Sequence, residues 1–164
     1  MKSMINSLSA LILLFGWTGL MAENAVKQVM LEQHNTEREA LELTPLEWSD
    51  ELAASAQLWA NTLAVLDKAS HSDSGFGENI WFGAYQSISL DEMAGIWLAE
   101  KQYFLADKPV PQNCSQPWEQ CGHYSQMVWA DTTDLGCAMA SSEKNSYLVC
   151  HYSPAGNVQD QLAY

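Results

Sequence analysis

The sequence predicts an α+β domain. Apolar residues recur at helical spacing in four segments, and two of these carry start signals of their own. Short apolar runs bounded by glycine or polar turns lie between and after them, the last two reading as a hairpin. Helices first, strands interleaved and a hairpin late fit helices layered on a sheet. With 164 residues the chain suits one domain that can bury its own core. No repeat, low-complexity stretch or internal linker divides it.

The first helix is expected at about residues 25–41, with Val26, Val29 and Met30 on one face. The second follows Ser49, an N-cap residue, with Asp50 and Glu51 where a helix start favours negative charge. Its apolar series is Leu52, Ala56, Trp59, Ala60 and Leu63. A short strand is expected at residues 79–84, between glycines. Ser89-Leu90-Asp91-Glu92 has the form of a capping box and opens the third helix. Its apolar stripe is Met93, Ile96 and Trp97, continuing to Tyr103 and Phe104. A short fourth helix is expected at residues 124–130. Strands at 135–140 and 147–152 are joined by a polar turn at 141–145.

Residues 1–22 read as an export signal, leaving 23–164 as the domain. Lys2 supplies the positive start, an apolar stretch follows at residues 8–20, and Ala22 is the small residue before Glu23. That stretch is shorter than the roughly 20 residues a membrane span needs, so no stable membrane insertion is expected. The competing reading is a short, uncleaved N-terminal anchor. The expected location is extracellular or periplasmic.

The net charge is −13, and loss of residues 1–22 removes Lys2 and no acid. Such a surface repels nucleic acid and anionic headgroups, which excludes both as partners. A monomer is expected. Four cysteines, Cys114, Cys121, Cys137 and Cys150, all lie in the last third. An even count behind an export signal favours two disulfides. Of three possible pairings the sequence-local one, Cys114–Cys121 with Cys137–Cys150, is preferred. The second bridge would join the two hairpin strands and stabilise the fold by about 3 kcal/mol in the chain-entropy model. No CxxC pair exists, so a cysteine-ligated zinc site is not supported.

Glu100 is the most informative single residue. It lies seven residues after Met93 and three after Trp97, on the apolar stripe of the third helix. A carboxylate is rarely buried without a partner, because desolvating the charge is costly. Glu100 therefore faces a cleft, pairs with a cation or has a raised pKa; if the helix frays early it is solvated. Of the four histidines, His71 lies in a small polar loop with Glu78 seven residues on, and His123 opens the fourth helix. His34 reads as structural. His151 alternates with Cys150 along a strand and is expected to be exposed. Asn113-Cys114-Ser115 matches a glycosylation sequon.

Spacing alone does not bring these residues together, but a series of ordered motifs does. Gly122-His123-Tyr124-Ser125-Gln126-Met127-Val128-Trp129 resembles the first signature of the CAP superfamily. That superfamily comprises the cysteine-rich secretory, antigen 5 and pathogenesis-related 1 proteins. The segment from Tyr147 through Cys150-His151-Tyr152-Ser153-Pro154 to Asn157 resembles the second signature. Upstream, His34-Asn35 with Arg38, Pro45-Leu46-Glu47-Trp48, Gly77-Glu78-Asn79 and Trp97-Leu98-Ala99-Glu100 match further family motifs.

The resemblance implies an α-β-α sandwich, with a three-stranded antiparallel sheet between helices. It implies a cleft tetrad of His71, Glu78, Glu100 and His123, with His71 and His123 as ligands of zinc or another divalent cation. It supports the same two disulfides; a third found in plant members has no cysteines here. His71 lies further from Glu78 than in plant members. The implied function is a secreted binding or effector protein in defence or host interaction, with a sterol, fatty acid or other apolar molecule as partner. The aromatics near Glu100 and the loops at 75–77 and 107–112 are candidates for an apolar groove. Two alternatives stand beside it. One is a metal-dependent hydrolase with Glu78 and Glu100 as candidate catalytic groups, although no HExxH is present. The other is a structural or adhesive module.

Overall fold

Both announced helix starts are capped as the sequence predicts. In the computed structural model, which describes residues 6–164 and side chains from Glu23 onward, Ser49 Oγ accepts the Leu52 amide at 3.2 Å. Ser89 Oγ accepts the Glu92 amide at 3.3 Å while Glu92 Oε2 accepts the Ser89 amide at 2.7 Å, completing the capping box. The helices are α1 (Asn6–Ala40), α2 (Asp50–Leu66), α3 (Leu90–Ala99) and α4 (Gly122–Met127). The strands are β1 (Glu47–Trp48), β2 (Gly77–Ala84), β3 (Asp134–Ser141) and β4 (Asn145–Ser153). The predicted export signal falls on residues 1–5, which lie outside the described residues, and on 6–22, whose side chains do. Among the described residues no helix is long and apolar enough to cross a membrane.

The sheet has four strands in the order β1-β3-β4-β2, not the three expected. The long strands β3, β4 and β2 are antiparallel, and β1 adds two residues parallel to β3, Glu47 opposite Asp134 and Trp48 opposite Leu135. Two residues are too few to carry an alternating pattern, so β1 leaves no trace in the sequence. It forms because Asn35 on α1 holds the preceding residue from both sides. Its Oδ1 accepts the Leu46 amide at 2.8 Å and its Nδ2 donates to the Leu46 carbonyl at 3.0 Å.

Helices cover both faces of the sheet. Ala56, Ala60 and Leu63 of α2 pack on Ala138, Tyr147 and Val149. Val26 and Met30 of α1, Met93 and Trp97 of α3 and Met127 of α4 pack on Leu135, Leu148 and Tyr152 on the other face. Gly136 marks how closely α2 approaches, since a Cβ there would collide with the Ala53 backbone. At its far end α2 is tied to the β3–β4 turn by Asp67. This left-handed cap residue accepts from Ser142 Oγ at 2.7 Å, Asn145 Nδ2 at 2.9 Å and the Tyr147 hydroxyl at 3.2 Å.

Three expectations are corrected by this packing. The α3 stripe centres on Met93, Ala94 and Trp97, and Ile96 falls off its edge at 48% exposed. The fourth helix starts at Gly122 rather than 124, because a side chain satisfies its first amides (below). His151 is fully buried, since β4 is an inner strand covered on both faces from Ser146 to Tyr152.

Both disulfides pair as predicted, Cys114 with Cys121 and Cys137 with Cys150, the latter directly opposite each other in β3 and β4. Asn113 is fully buried with its Nδ2 on Ser125 Oγ at 2.9 Å, so the sequon is closed to a glycan in the folded chain.

The most constrained charge in the core is Arg38. Its guanidinium is fully buried and donates to four carbonyls: Thr44 at 2.8 Å, Met127 at 3.1 Å, Trp129 at 2.8 Å and Thr132 at 3.1 Å. Replacing Arg38 with methionine keeps bulk but strips these acceptors of their donor. The expected loss is on the order of 3 kcal/mol or more. Urea unfolding measures it, and a loss below about 1 kcal/mol would show that the guanidinium does not hold this region together.

Candidate functional site: two histidine–glutamate pairs at one sheet edge

The four predicted site residues form two hydrogen-bonded pairs. Glu78 is the second residue of the edge strand β2, and its Oε1 accepts His71 Nδ1 at 2.6 Å. His71 comes from the loop between α2 and β2, and its side chain is 69% exposed against 6% for Glu78. Glu100 follows α3, where the chain tightens into a turn of 3₁₀ helix, and its Oε1 accepts His123 Nδ1 at 2.7 Å. The prediction that Glu100 turns inward holds: the residue is 9% exposed.

Each carboxylate is occupied beyond its histidine. Glu100 Oε2 accepts the backbone amides of His123 at 3.0 Å and Tyr124 at 3.1 Å, the first donors of α4. Negative charge at a helix N-terminus is favoured there. Glu78 Oε1 also accepts the Ser72 amide at 3.0 Å, and its Oε2 accepts His151 Nε2 at 3.0 Å. Burial alone would raise the Glu78 carboxyl, but hydrogen bonds from His151, His71 and Ser72 outweigh it and hold the pKa at about 2. The hydrogen bond from Glu78 raises His71 in turn, against partial burial.

The two pairs approach β2 from opposite layers. Glu78 stands opposite His151 and faces the α2 side. Its neighbour Asn79 faces the other layer, where Nδ2 donates to the His123 carbonyl at 3.0 Å. Among the described residues no hydrogen bond joins one pair directly to the other. Asn79 also donates to the Tyr152 hydroxyl at 3.0 Å, which donates to His34 Nε2 at 2.8 Å. His34 Nδ1 donates to the Met30 carbonyl at 2.7 Å. Burial lowers His34 to about 4, so it is neutral, and its predicted structural role holds.

Both Nδ1 atoms are committed to carboxylates, and among the described residues neither His71 nor His123 has a hydrogen-bond partner on Nε2. A carboxylate behind a histidine fixes its tautomer and raises its basicity, as in metal sites. Among the described residues no group of three or more His, Cys, Asp or Glu surrounds a single point. The two imidazoles are thus the residues that could hold a cation here, with solvent left to complete its shell.

His123 stacks on Trp97 with ring centroids 5.8 Å apart, and Trp97 is 1% exposed. Trp97 is thus core rather than groove lining. Phe104 packs edge-on against Tyr124 at 5.2 Å. Of the described grooves, an apolar one of about 740 Å³ lies away from the histidines, between α2, β3 and the middle of α1 around Val26. An open acidic one of about 510 Å³ lies along the end of α1.

Sequence reasoning missed His151 and Ser55. His151 Nδ1 lies 3.1 Å from Ser55 Oγ on α2, so the buried imidazole joins Glu78 to a helix hydroxyl. One signal was available: Tyr147-Leu148-Val149-Cys150 is an unbroken apolar run, the mark of a strand covered on both faces.

A single sheet covered by helices on both faces, with paired His and Glu at its edge, defines the class, and the comparisons agree. The model of the cysteine-rich secretory protein family, CAP, matches residues 31–152, and this chain belongs to that family. It is 36% identical over 144 residues to pathogenesis-related protein 1C of Nicotiana tabacum, covering 87% of this chain and 83% of that one. It is 34% identical over 140 residues to pathogenesis-related protein PR-1 of Medicago truncatula, covering 84% and 79%. The fold resembles that of NaASP2, solved with Zn2+, with a TM-score of 0.71 at 24% identity over 85% of this chain and 84% of that one.

The acid limb of stability should split between two groups. His34 has a pKa of about 4 folded and 6.5 as a free side chain, so stability falls as pH drops from 6.5 towards 4, where only the unfolded chain takes up the proton. Glu78 has about 2 against 4.5, so its contribution is full above 4.5 and is lost as pH falls towards 2. His71 works the other way, contributing below 6.5 and losing that as pH rises through its raised value. Urea midpoints against pH test this. Glu78→Gln should flatten the lower limb and spare the upper one, and a full lower limb in that variant would contradict the assignment.

Proposed function

We propose that the chain is an exported CAP domain that binds a divalent cation through His71 and His123 and acts as a binding or effector protein, not as a hydrolase. The carrying observation is that each imidazole is fixed through Nδ1 by a carboxylate, at 2.6 Å and 2.7 Å, with no partner on Nε2 among the described residues. Zinc suits imidazole nitrogen with oxygen ligands, and its remaining positions would be filled by water. Export is supported by the apolar N-terminal stretch, by the two disulfides and by membership of a secretory protein family.

The carboxylates argue against hydrolysis. A general base works best with a pKa near the operating pH, and Glu78 is held at about 2. Glu100 already accepts three hydrogen bonds that fix His123 and the start of α4. Both are orienting groups that would have to release structural donors before taking a proton.

The test is calorimetric titration of the metal-free protein with zinc. One zinc per chain should bind near neutral pH, and His71→Ala or His123→Ala should each remove most of the heat. No heat with the wild-type chain, or full binding after either substitution, would overturn the reading.

The apolar groove of about 740 Å³ supports a second reading, with Val26, Ala53, Leu90, Ala138 and Met139 among its lining residues. Its size and lining suit an acyl chain or a sterol. Native mass spectrometry of the purified protein should show a bound lipid that Ala138→Trp displaces. A lipid-free spectrum, together with no saturable binding of a fluorescent sterol or fatty acid, would retire this reading.

A further inference from the structure

We propose that His151, fixed by Ser55, is a positioning residue for the cation site: it ties down Glu78 Oε2 so that Oε1 is presented to His71. The proposal rests on the cation-binding reading above and deepens it.

Four side chains form one relay across the α2 layer. His71 Nδ1 donates to Glu78 Oε1 at 2.6 Å, and His151 Nε2 donates to Glu78 Oε2 at 3.0 Å. Ser55 Oγ lies 3.1 Å from His151 Nδ1. The directions follow from the acceptor at the centre. An ionised carboxylate only accepts, so both imidazoles turn an N–H towards it. His151 then carries its proton on Nε2, and its Nδ1 lone pair accepts the Ser55 hydroxyl. The opposite tautomer would set a lone pair against the carboxylate, whereas the Ser55 hydroxyl can donate or accept and partners either form. Glu78 therefore selects the tautomer, and Ser55 holds the far side of the ring so that Nε2 stays aimed at the carboxylate.

The two ends of the relay differ in what else holds them. His151 is fully buried on an inner strand and stands directly opposite Glu78 in the sheet, so sheet register fixes their separation. His71 is 69% exposed on a loop, and Glu78 is its one side-chain partner among the described residues. An exposed side chain keeps several rotamers unless something holds it. His71 thus inherits its orientation from Glu78, and Glu78 from His151. His123 does not depend on this relay, because Glu100 is fixed by backbone amides. Loss of His151 should disturb one histidine and spare the other, which a general loss of stability would not do.

The experiment compares the wild-type chain with His151→Leu, His151→Gln and Ser55→Ala. The readouts are zinc titration and nitrogen NMR of the imidazoles in the metal-free protein. In the wild type, His71 should show the tautomer protonated on Nδ1. In His151→Leu it should become a mixture while His123 is unchanged, and zinc affinity should fall by roughly 10–100-fold. His151→Gln places an amide N–H near the position of Nε2 and should restore both readouts. Ser55→Ala should shift them in the same direction by less. If His151→Leu does not fold, Ser55→Ala and His151→Gln decide the matter. Unchanged His71 signals and zinc affinity in folded His151→Leu, or in Ser55→Ala where the first variant is lost, would overturn the proposal. A wild-type chain that takes up no zinc would defeat the cation reading alone, since the NMR comparison still tests the relay.

Discussion

The fold turns on how the six-residue helix α4 is held at both ends. A helix that short cannot sustain itself in water, because nucleation costs more than its few hydrogen bonds return. Here opposite charges close its two ends. Glu100, following α3, accepts the amides of His123 and Tyr124. Arg38, from α1, donates to the carbonyls of Met127 and Trp129. Each charge matches the partial charge of the helix end it meets. Both are buried, and both are satisfied mainly by backbone, so neither depends on a flexible partner that could leave it unpaired. The clamp joins α1, α3 and α4 into one layer and delivers His123 to the sheet edge with little freedom.

The second pair reaches the same edge by different means. His71 has no helix to carry it, and its loop is exposed. What fixes it is a carboxylate standing in sheet register opposite a buried imidazole. One histidine is therefore placed by helix termini and the other by cross-strand pairing, from opposite layers of the sandwich. In both cases the carboxylate is consumed as an orienting group. Tightly held imidazoles and carboxylates already engaged by donors fit the proposed binding reading better than the hydrolase arrangement that the same four residue types also suggest.

How far the sequence revealed this depended on whether the determinant was local. Ser49 and Ser89 announced their helices because a cap is a contact within one turn. Glu100 announced itself as a charge on an apolar stripe, and the buried clamp is the reason it could stay there. The strand β1 was invisible because Asn35, eleven residues upstream of Leu46, imposes it from another element. His151 was misread because alternation along a strand signals exposure only where one face is wet, and β4 has none. Ser55 looked like filler on a helix, since its partner lies 96 residues away. The motifs placed His71 and Glu78 in one site, but the relay behind them is a tertiary fact that no spacing records.

The charge of the molecule bears on what such a site can select. A net charge of −13 sets a negative field around the domain, which concentrates cations and repels phosphate and carboxylate ligands. That field is non-specific and weakens with salt. Selection among cations must come from the donors: two imidazole nitrogens favour borderline metals such as zinc over calcium or magnesium, which prefer oxygen. The acidic surface thus raises the local supply of every divalent ion, while under the proposed cation reading the two imidazoles would decide which of them stays. Because the two histidines are supplied by the α2–β2 loop and by α4, an ion held by both would also link those two elements across the sheet edge. Binding would then stabilise the folded state by the ordinary mass-action rule, since the unfolded chain cannot assemble the pair.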